Sequence, residues 1–189
     1  AAVKFQPQPF APLDASTFQR FNPSRLLAQS YHAQSRANLP EAVRFTRAAT
    51  VQSPHFGFAW ARLAELEFGF GRTKAADAAL AKALALAPRH APAHTVKGYV
   101  LAAQHQTAAA LVEFEQAIAL DAALANAWLG RGLCRLHQGH TRAGREDLLV
   151  AAALEPNRAV LRSYLGKAFQ DAGDPARATK EHRLAQRLD

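Results

Sequence analysis

The residues of this chain best suited to chemistry are its histidines, its single cysteine and one pair of glycines. His137 and His140 are separated by two residues, which could place both imidazoles at one helix end, and His90 and His94 flank Pro92. A zinc site needs four protein ligands, or three and a water, and neither pair has a carboxylate or thiolate placed to complete that set. We therefore interpret these histidines as surface or inter-helix side chains and predict no bound metal.

Two further features give equally little support for catalysis or ligand binding. Gly130 and Gly132 form only a fragment of a phosphate-binding loop, without the third glycine or a preceding strand. Cys134 has no second cysteine to pair with, and a free cysteine is more often packed in a core than reactive. No serine, histidine and acid can be grouped from their spacing. The sequence predicts a protein that is not an enzyme and carries no cofactor.

A period of 34 residues recurs five times and must set the positions of all these side chains. Trp60 and Trp128 lie two periods apart, and small residues recur at fixed distances from them. The small-residue positions hold Ser30, Ala64, Gly98, Gly132 and Gly166, then Ala42, Ala76, Ala110, Gly144 and Ala178, then Ala49, Ala83, Ala117, Ala151 and Ala185. A fixed period of this length indicates stacked helix–turn–helix units, because one unit cannot bury its apolar face alone.

At these residues the chain resembles the tetratricopeptide repeat (TPR) family. The resemblance implies an all-α fold, a right-handed α-solenoid of about five helix–turn–helix repeats. A leader at 1–22 would precede an array at 23–189. The repeats would span 23–56, 57–90, 91–124, 125–158 and 159–189. The sequence departs from the family pattern at slots that are usually apolar and face the core. These slots hold His94, Lys97, Arg131, Arg135 and Arg162.

Turn and cap residues support the helical interpretation independently. Gly71, Gly139 and Gly173 fall between the two helices of a repeat, where a helix end often needs positive φ. Asp174 and Pro175 suit the cap and the first position of the last helix. We therefore expect the second helix of each repeat to follow such a turn.

The leader is rich in phenylalanine and proline. Phe5, Phe10, Phe18 and Phe21 are too apolar for an ordinary solvated linker. Two interpretations stay open, a loosely ordered terminal segment and a cap that docks on the first repeats or in the groove.

The net charge of +8 and the isoelectric point near 10.2 permit binding to nucleic acid or another anionic surface. Basic residues are frequent in the fourth and fifth repeats. They are Arg131, Arg135, Arg142, Arg145, Arg158, Arg162 and Lys167. Because Glu146, Asp147 and Glu155 lie among them, we expect a solvated, mixed-charge outer face, with nucleic acid a disfavoured partner.

The family resemblance also implies a binding site. In TPR arrays the concave groove is lined by fixed positions of the first helix of each repeat. The corresponding residues here are Leu27, Tyr31, Phe58, Glu65, Phe68, Thr95, Tyr99, Asn126, Leu129, Leu133, Leu136 and Lys167. Some members hold a peptide carboxylate with Lys and Asn at two of these positions. This chain has Leu27 and Tyr31 there, so that clamp is absent and an apolar, aromatic trough remains.

These features predict a non-enzymatic scaffold that binds a protein or peptide segment in an apolar groove. One alternative is a self-assembling structural element that stacks through its terminal repeats, and another is a basic nucleic-acid-binding array. Leu184 and Leu188 lie on one stripe of the last helix. If the protein continues past Asp189, a further repeat would cover that stripe; otherwise we expect self-association through 176–189.

A closer resemblance concerns the compartment. Residues 130–135, 148–156 and 161–168 are similar to repeats of large bacterial envelope proteins in which a FecR-like segment precedes the TPR region. This similarity implies a periplasmic fragment of a longer protein, with the cytoplasm as the alternative. No apolar run approaches the roughly 18 residues of a membrane span.

Overall fold

The computed structural model describes residues 22–189, and the regular structure in that range is entirely helical. It contains ten helices arranged in pairs. They are α1 (Pro23–Ser35), α2 (Leu39–Gln52), α3 (Gly57–Gly69), α4 (Thr73–Leu86), α5 (Ala91–Ala103), α6 (Thr107–Leu120), α7 (Ala125–His137), α8 (Thr141–Leu154), α9 (Ala159–Asp171) and α10 (Pro175–Leu188). Each predicted repeat contains one pair, and neighbouring pairs stack along the chain. The prediction of an all-α solenoid is confirmed.

In the turn within each repeat, the residue at one fixed repeat position has a left-handed backbone conformation. Its φ is 73° at Gly71, 82° at Gly139 and 73° at Gly173, as the sequence predicts. Ala37 and His105 occupy the same repeat position with φ of 58° and 60°, although a side chain disfavours this conformation. The next residue then donates a backbone hydrogen bond to the first helix, at 2.9 Å in all five repeats. The repeat geometry therefore overrides the local preference at Ala37 and His105.

Small residues let the helices approach closely. A Cβ atom on Gly132 would lie 2.9 Å from the carbonyl oxygen of Gly144, which is a glycine of the partner helix. The ring of Phe114 is fully buried against Gly98 and Gly130, where added Cβ atoms would lie within 2.6 and 2.3 Å of it. One aromatic ring thus fixes the junction between the third and fourth repeats.

An equivalent hydrogen bond joins successive repeats at each of four junctions, although the side chain that donates it differs. The indole nitrogens of Trp60 and Trp128 donate to the carbonyl oxygens of Pro54 and Ala122, each at 2.8 Å. His94 Nε2 lies 2.9 Å from the Pro88 oxygen, and Arg162 Nε lies 3.0 Å from the Pro156 oxygen. This shared donor explains why His94 and Arg162 are accepted in a position that usually holds tryptophan.

Acidic side chains lie between the two helices of the last three repeats, at one repeat position. We call Glu113, Asp147 and Glu181 the acidic layer. Asp147 is 3% exposed and pairs with Arg131 at 2.7 Å and Arg135 at 2.9 Å. The first two repeats hold the apolar residues Phe45 and Ala79 at this position.

The other two acids of the layer are also paired. Glu113 contacts His94 and Lys97, each at 2.7 Å, and Glu181 contacts Arg162 at 3.2 Å. The expectation of a solvated outer face is therefore wrong for Arg131 and Arg162, whose side chains are only 14% and 16% exposed. Their charges lie between helices because acids on the facing helices compensate them.

Candidate functional site

Two adjoining concavities run along the first helices of the repeats, with volumes of about 280 and 480 Å³. They share Tyr31, Glu65, Pro92 and Val96, so we treat them as one groove. Its first part is lined by Ser24, Leu27, Tyr31, Phe56, Phe58, Ala61, Arg62, Glu65, His90, Pro92 and Val96. Its second part adds Phe68, Thr95, Tyr99, Leu124, Asn126, Leu129, Leu133, Arg158, Val160 and Tyr164.

The repeat geometry explains why these residues meet. The first helices α1, α3, α5 and α7 contact their neighbours directly, so they lie side by side along one face. A position that faces this side in one repeat faces it in the next, because the 34-residue unit is repeated. The groove is therefore built from residues far apart in sequence.

Aromatic rings dominate the first part of the groove and remain open to solvent. Tyr31 is 55% exposed and Phe58 is 49% exposed. Phe58 packs edge-on against the ring of His90, with centroids 4.7 Å apart, and lies 5.6 Å from Phe56. Large apolar groups left exposed side by side are typical of interaction surfaces.

A buried arginine holds Tyr31 and Glu65 in place. Arg62 is 2% exposed, and its guanidinium lies 4.0 Å from the centre of the Tyr31 ring. It pairs with Glu65 at 2.7 Å and donates to the Ser30 hydroxyl at 3.1 Å and to the Gln34 amide oxygen. Burial, with a smaller contribution from Glu65, raises the pKa of Tyr31 despite the nearby Arg62. The Tyr31 hydroxyl therefore stays neutral at physiological pH.

Tyr99 forms the floor of the second part. Its ring packs edge-on against Phe114 with centroids 5.0 Å apart and faces Phe68 at 6.4 Å. Its hydroxyl donates to the backbone oxygen of Asn126 at 2.8 Å, and burial raises its pKa well above the usual range. Tyr99 is thus fixed by both neighbours, which gives the groove a rigid aromatic base.

The far end of the groove carries one cation. Arg158 donates to the Asn126 side-chain oxygen at 2.7 Å and pairs with Glu155 at 2.9 Å. Beside it, Val160 is 51% exposed and Tyr164 is 40% exposed. The apolar, partly exposed character of the groove therefore extends to the fifth repeat.

Ten of the twelve residues predicted for the groove line it, and two do not. Leu136 packs between the helices of its own repeat, since a Cβ atom on Gly144 would lie 2.7 Å from Leu136 Cγ. The Lys167 side chain is 71% exposed and pairs with Asp171 at 3.2 Å.

The family pattern did not include several residues that line the groove. They occupy two repeat positions, one of which holds Arg62, Val96 and Tyr164, and the other Phe56, His90, Leu124 and Arg158. Their signal in the sequence is recurrence at the second of these positions, where large side chains return with the period of 34, whereas the first position also holds Ala28 and Gly130.

Leu184 and Leu188 of the C-terminal stripe are partly buried. They correspond by the period to Val150 and Leu154, which stay 36% and 39% exposed although the fifth repeat follows them. Leu129, by contrast, is 5% exposed and packs in one core cluster with Leu161 and Leu165 of the fifth repeat. Cover of the stripe by a further repeat and self-association through 176–189 stay predictions.

The cations of the last two repeats are mostly engaged. Arg131, Arg135, Arg142, Arg158, Arg162 and Lys167 pair with acids. Arg145 lies over the ring of Phe169 at 5.7 Å. In the fourth repeat this pairing leaves little of the free basic surface that nucleic-acid binding needs.

Residues 22–189 give little support for a metal site, a reactive cysteine or a membrane-spanning helix. No cluster of three histidine, cysteine or acidic side chains in that range could hold a metal ion. Cys134 is buried, which raises the pKa of its thiol and disfavours the reactive thiolate. Among the ten helices described, none combines the length and hydropathy needed to cross a bilayer.

Comparison with solved structures places this fold among TPR proteins. TTC0263, a thermophilic TPR protein of Thermus thermophilus, has a TM-score of 0.76 at 20% identity, covering 88% of this chain and 91% of its own. PilW, a widely conserved type IV pilus biogenesis factor, has a TM-score of 0.74 at 19% identity over 88% and 77%. YrrB, a TPR protein with an unusual peptide-binding site, has a TM-score of 0.58 at 17% identity over 87% and 84%. No protein-family model and no curated protein matches the sequence. The fold is that of a TPR solenoid.

Proposed function

We propose that this protein is a non-enzymatic interaction module whose groove binds an apolar segment of a protein partner. The observation that carries the proposal is the exposure of Tyr31, Phe58 and Tyr164 within one concavity. Aromatic anchors in such pockets supply most of the binding energy at protein interfaces. The peptide-binding site of YrrB supports the proposal by analogy of fold only.

The charges of the groove favour an apolar partner segment over a charged one. Glu65 is neutralised by Arg62, and Arg158 is neutralised by Glu155. A highly charged segment would compete with these internal pairs and gain little. The partner we propose presents aliphatic or aromatic side chains at intervals that match the groove.

The compartment belongs to the same proposal. The similarity of residues 130–135, 148–156 and 161–168 to repeats of FecR-associated envelope proteins supports binding in the periplasm. A periplasmic partner would be another envelope protein.

The test is selection of peptides from a random library on the full chain, followed by affinity measurements on variants. We expect Phe58→Ser and Tyr164→Ser each to weaken a selected peptide by about tenfold or more, the loss typical of an aromatic anchor. The matched control is Val112→Ser, which alters an apolar side chain that is 62% exposed on α6 outside the groove. Peptides that bind all three variants equally would contradict the proposal.

Salt dependence separates the alternatives in the same assay. Apolar binding should change less than about twofold between 50 and 200 mM salt, whereas several phosphate contacts would cost orders of magnitude. A steep loss of affinity with salt would favour a polyanionic ligand.

A further inference from the structure

The chain supplies its own candidate occupant for the groove. Residues 1–21 lie outside the described part of the structure and directly precede Asn22, whose side chain accepts a hydrogen bond from the Arg25 amide at 2.8 Å and caps α1. Helix α1 itself contributes Ser24, Leu27 and Tyr31 to the groove. The segment therefore joins the array at one end of the groove.

We propose that residues 1–21 occupy the groove of their own chain, and that a partner must displace them to bind. This inference concerns the groove of the proposed function, and it deepens that function by adding a regulatory competitor. It commits to this segment because composition, attachment and reach all match the groove.

The composition of the segment matches the groove. Phe5, Phe10, Phe18 and Phe21 are distributed along it, so they can reach separate parts of an extended aromatic trough. Its charged residues are Lys4, Asp14 and Arg20, a small number for a segment of 21 residues. A groove whose charges are already paired internally accepts such a segment without leaving buried charges unpaired.

The prolines lower the cost of docking. Pro7, Pro9 and Pro12 restrict the backbone before binding, so less conformational freedom is lost on binding. Proline-rich segments dock into aromatic-lined grooves for this reason. The aromatic rings of Phe56, Phe58 and Tyr31 offer such a surface beside α1.

Residues 1–21 are long enough to extend along the whole groove. An extended chain spans at most about 3.3–3.6 Å per residue, so 21 residues reach roughly 70 Å. Neighbouring helices lie about 8–10 Å apart, so the first helices of five repeats span roughly 40 Å. Attachment to α1 also gives the segment an effective concentration on the order of millimolar, which lets weak contacts fill the groove.

Photo-crosslinking of the full chain tests the proposal directly. Phe10 is replaced by p-benzoylphenylalanine, and irradiated protein is digested and analysed by mass spectrometry. We expect crosslinks within one molecule to residues 58–68, 92–99 or 126–133. An equimolar mixture with isotope-labelled protein distinguishes crosslinks within one chain from those between chains. Crosslinks only to the second helices, only between chains, or none at all would overturn the inference.

A second measurement separates this inference from the proposed function. The variant with all four leader phenylalanines changed to serine should bind a library-selected peptide at least about fivefold more tightly, because the competitor is removed. Its control is Gln6→Ser with Gln8→Ser, which should leave the affinity within twofold. An unchanged affinity in the four-serine variant would overturn self-occupancy while the groove still binds peptide. Loss of peptide binding in Phe58→Ser would separately support the groove itself.

Discussion

The groove and the acidic layer differ in what they expose to water: the layer buries charged side chains, and the groove exposes aromatic ones. In the layer, ionic groups lie between helices, where Asp147 is 3% exposed, and each acid has a basic partner. In the groove, aromatic side chains such as Tyr31 remain about half exposed. Folding therefore buries charges where partners compensate them and leaves apolar rings in contact with water. The exposed rings are not needed to close the core, which is why we propose them as the binding surface.

The largest effect we expect comes from breaking the acidic layer at its most buried member. Asp147→Ala removes the acid that pairs with Arg131 and Arg135 and leaves Arg135 only its longer contact with Glu115 at 3.4 Å; loss of one partner from a buried ion pair costs about 3 kcal/mol. Urea denaturation followed by the fluorescence of the two tryptophans, of which Trp128 lies in the same repeat, measures the loss.

The adjacent acid provides the control for that variant. Glu146 pairs with Arg142, but its side chain is 59% exposed, so Glu146→Ala should cost less than about 0.5 kcal/mol. Equal losses from both substitutions would show that the layer contributes no more than a surface pair.

The next effect connects the core to the groove. Gly130→Ala would place a Cβ atom 2.3 Å from the Phe114 ring, and Phe114 in turn supports Tyr99. Overpacking of this kind costs about 1–3 kcal/mol, and we expect weaker peptide binding as well, because the Tyr99 ring must move. Calorimetric unfolding and peptide titration of the same variant measure both changes.

Gly69 is the matched control, since no heavy atom lies within 4 Å of an added Cβ there. Gly69→Ala should leave stability unchanged or raise it by up to about 1 kcal/mol. If Gly130→Ala destabilised the protein without changing the peptide affinity, the link between Phe114 and the groove would be refuted.

Acid should weaken the layer by protonating Glu113. Burial alone would raise the pKa of Glu113, but hydrogen bonds from His94 and Lys97 outweigh it and hold the pKa below the ordinary 4.5. Because the folded-state pKa is depressed, the stabilisation is present above pH 4.5 and is lost as the pH falls below it. Unfolding curves from pH 7 to pH 3 should be steeper with pH for the native protein than for Glu113→Gln; parallel curves would contradict this.

The smallest effect we expect concerns the turns within the repeats, which belong neither to the groove nor to the acidic layer. Ala37 has φ of 58°, where glycine is preferred, so Ala37→Gly should stabilise the protein by up to about 1 kcal/mol. Gly139, with φ of 82° at the same repeat position, is the reverse test, and Gly139→Ala should destabilise by a similar amount. Thermal unfolding of both variants should show shifts of opposite sign, with peptide affinity unchanged.

The period of 34 predicted the helix pairs, and the resemblance to the TPR family indicated which positions of the first helices face the concave side. Tyr31, Phe58 and Tyr99 do lie on first helices. The pairing of Asp147 with Arg131 was missed because their sixteen-residue separation joins two helices, which no local pattern reports. Leu136 was misplaced for a related reason, since Gly144 on the facing helix leaves a space that only this repeat has to fill.

The tyrosines allow the central claim to be tested in one measurement. The chain has three, Tyr31, Tyr99 and Tyr164, and all of them line the groove, whereas Trp60 and Trp128 bond backbone oxygens between repeats. The full chain labelled with fluorine on both residue types is titrated with a library-selected peptide and followed by ¹⁹F NMR. We predict shifts of all three tyrosine signals and little change in the tryptophan signals. Saturable peptide binding that leaves every tyrosine signal in place would contradict the assignment of the groove as the binding site.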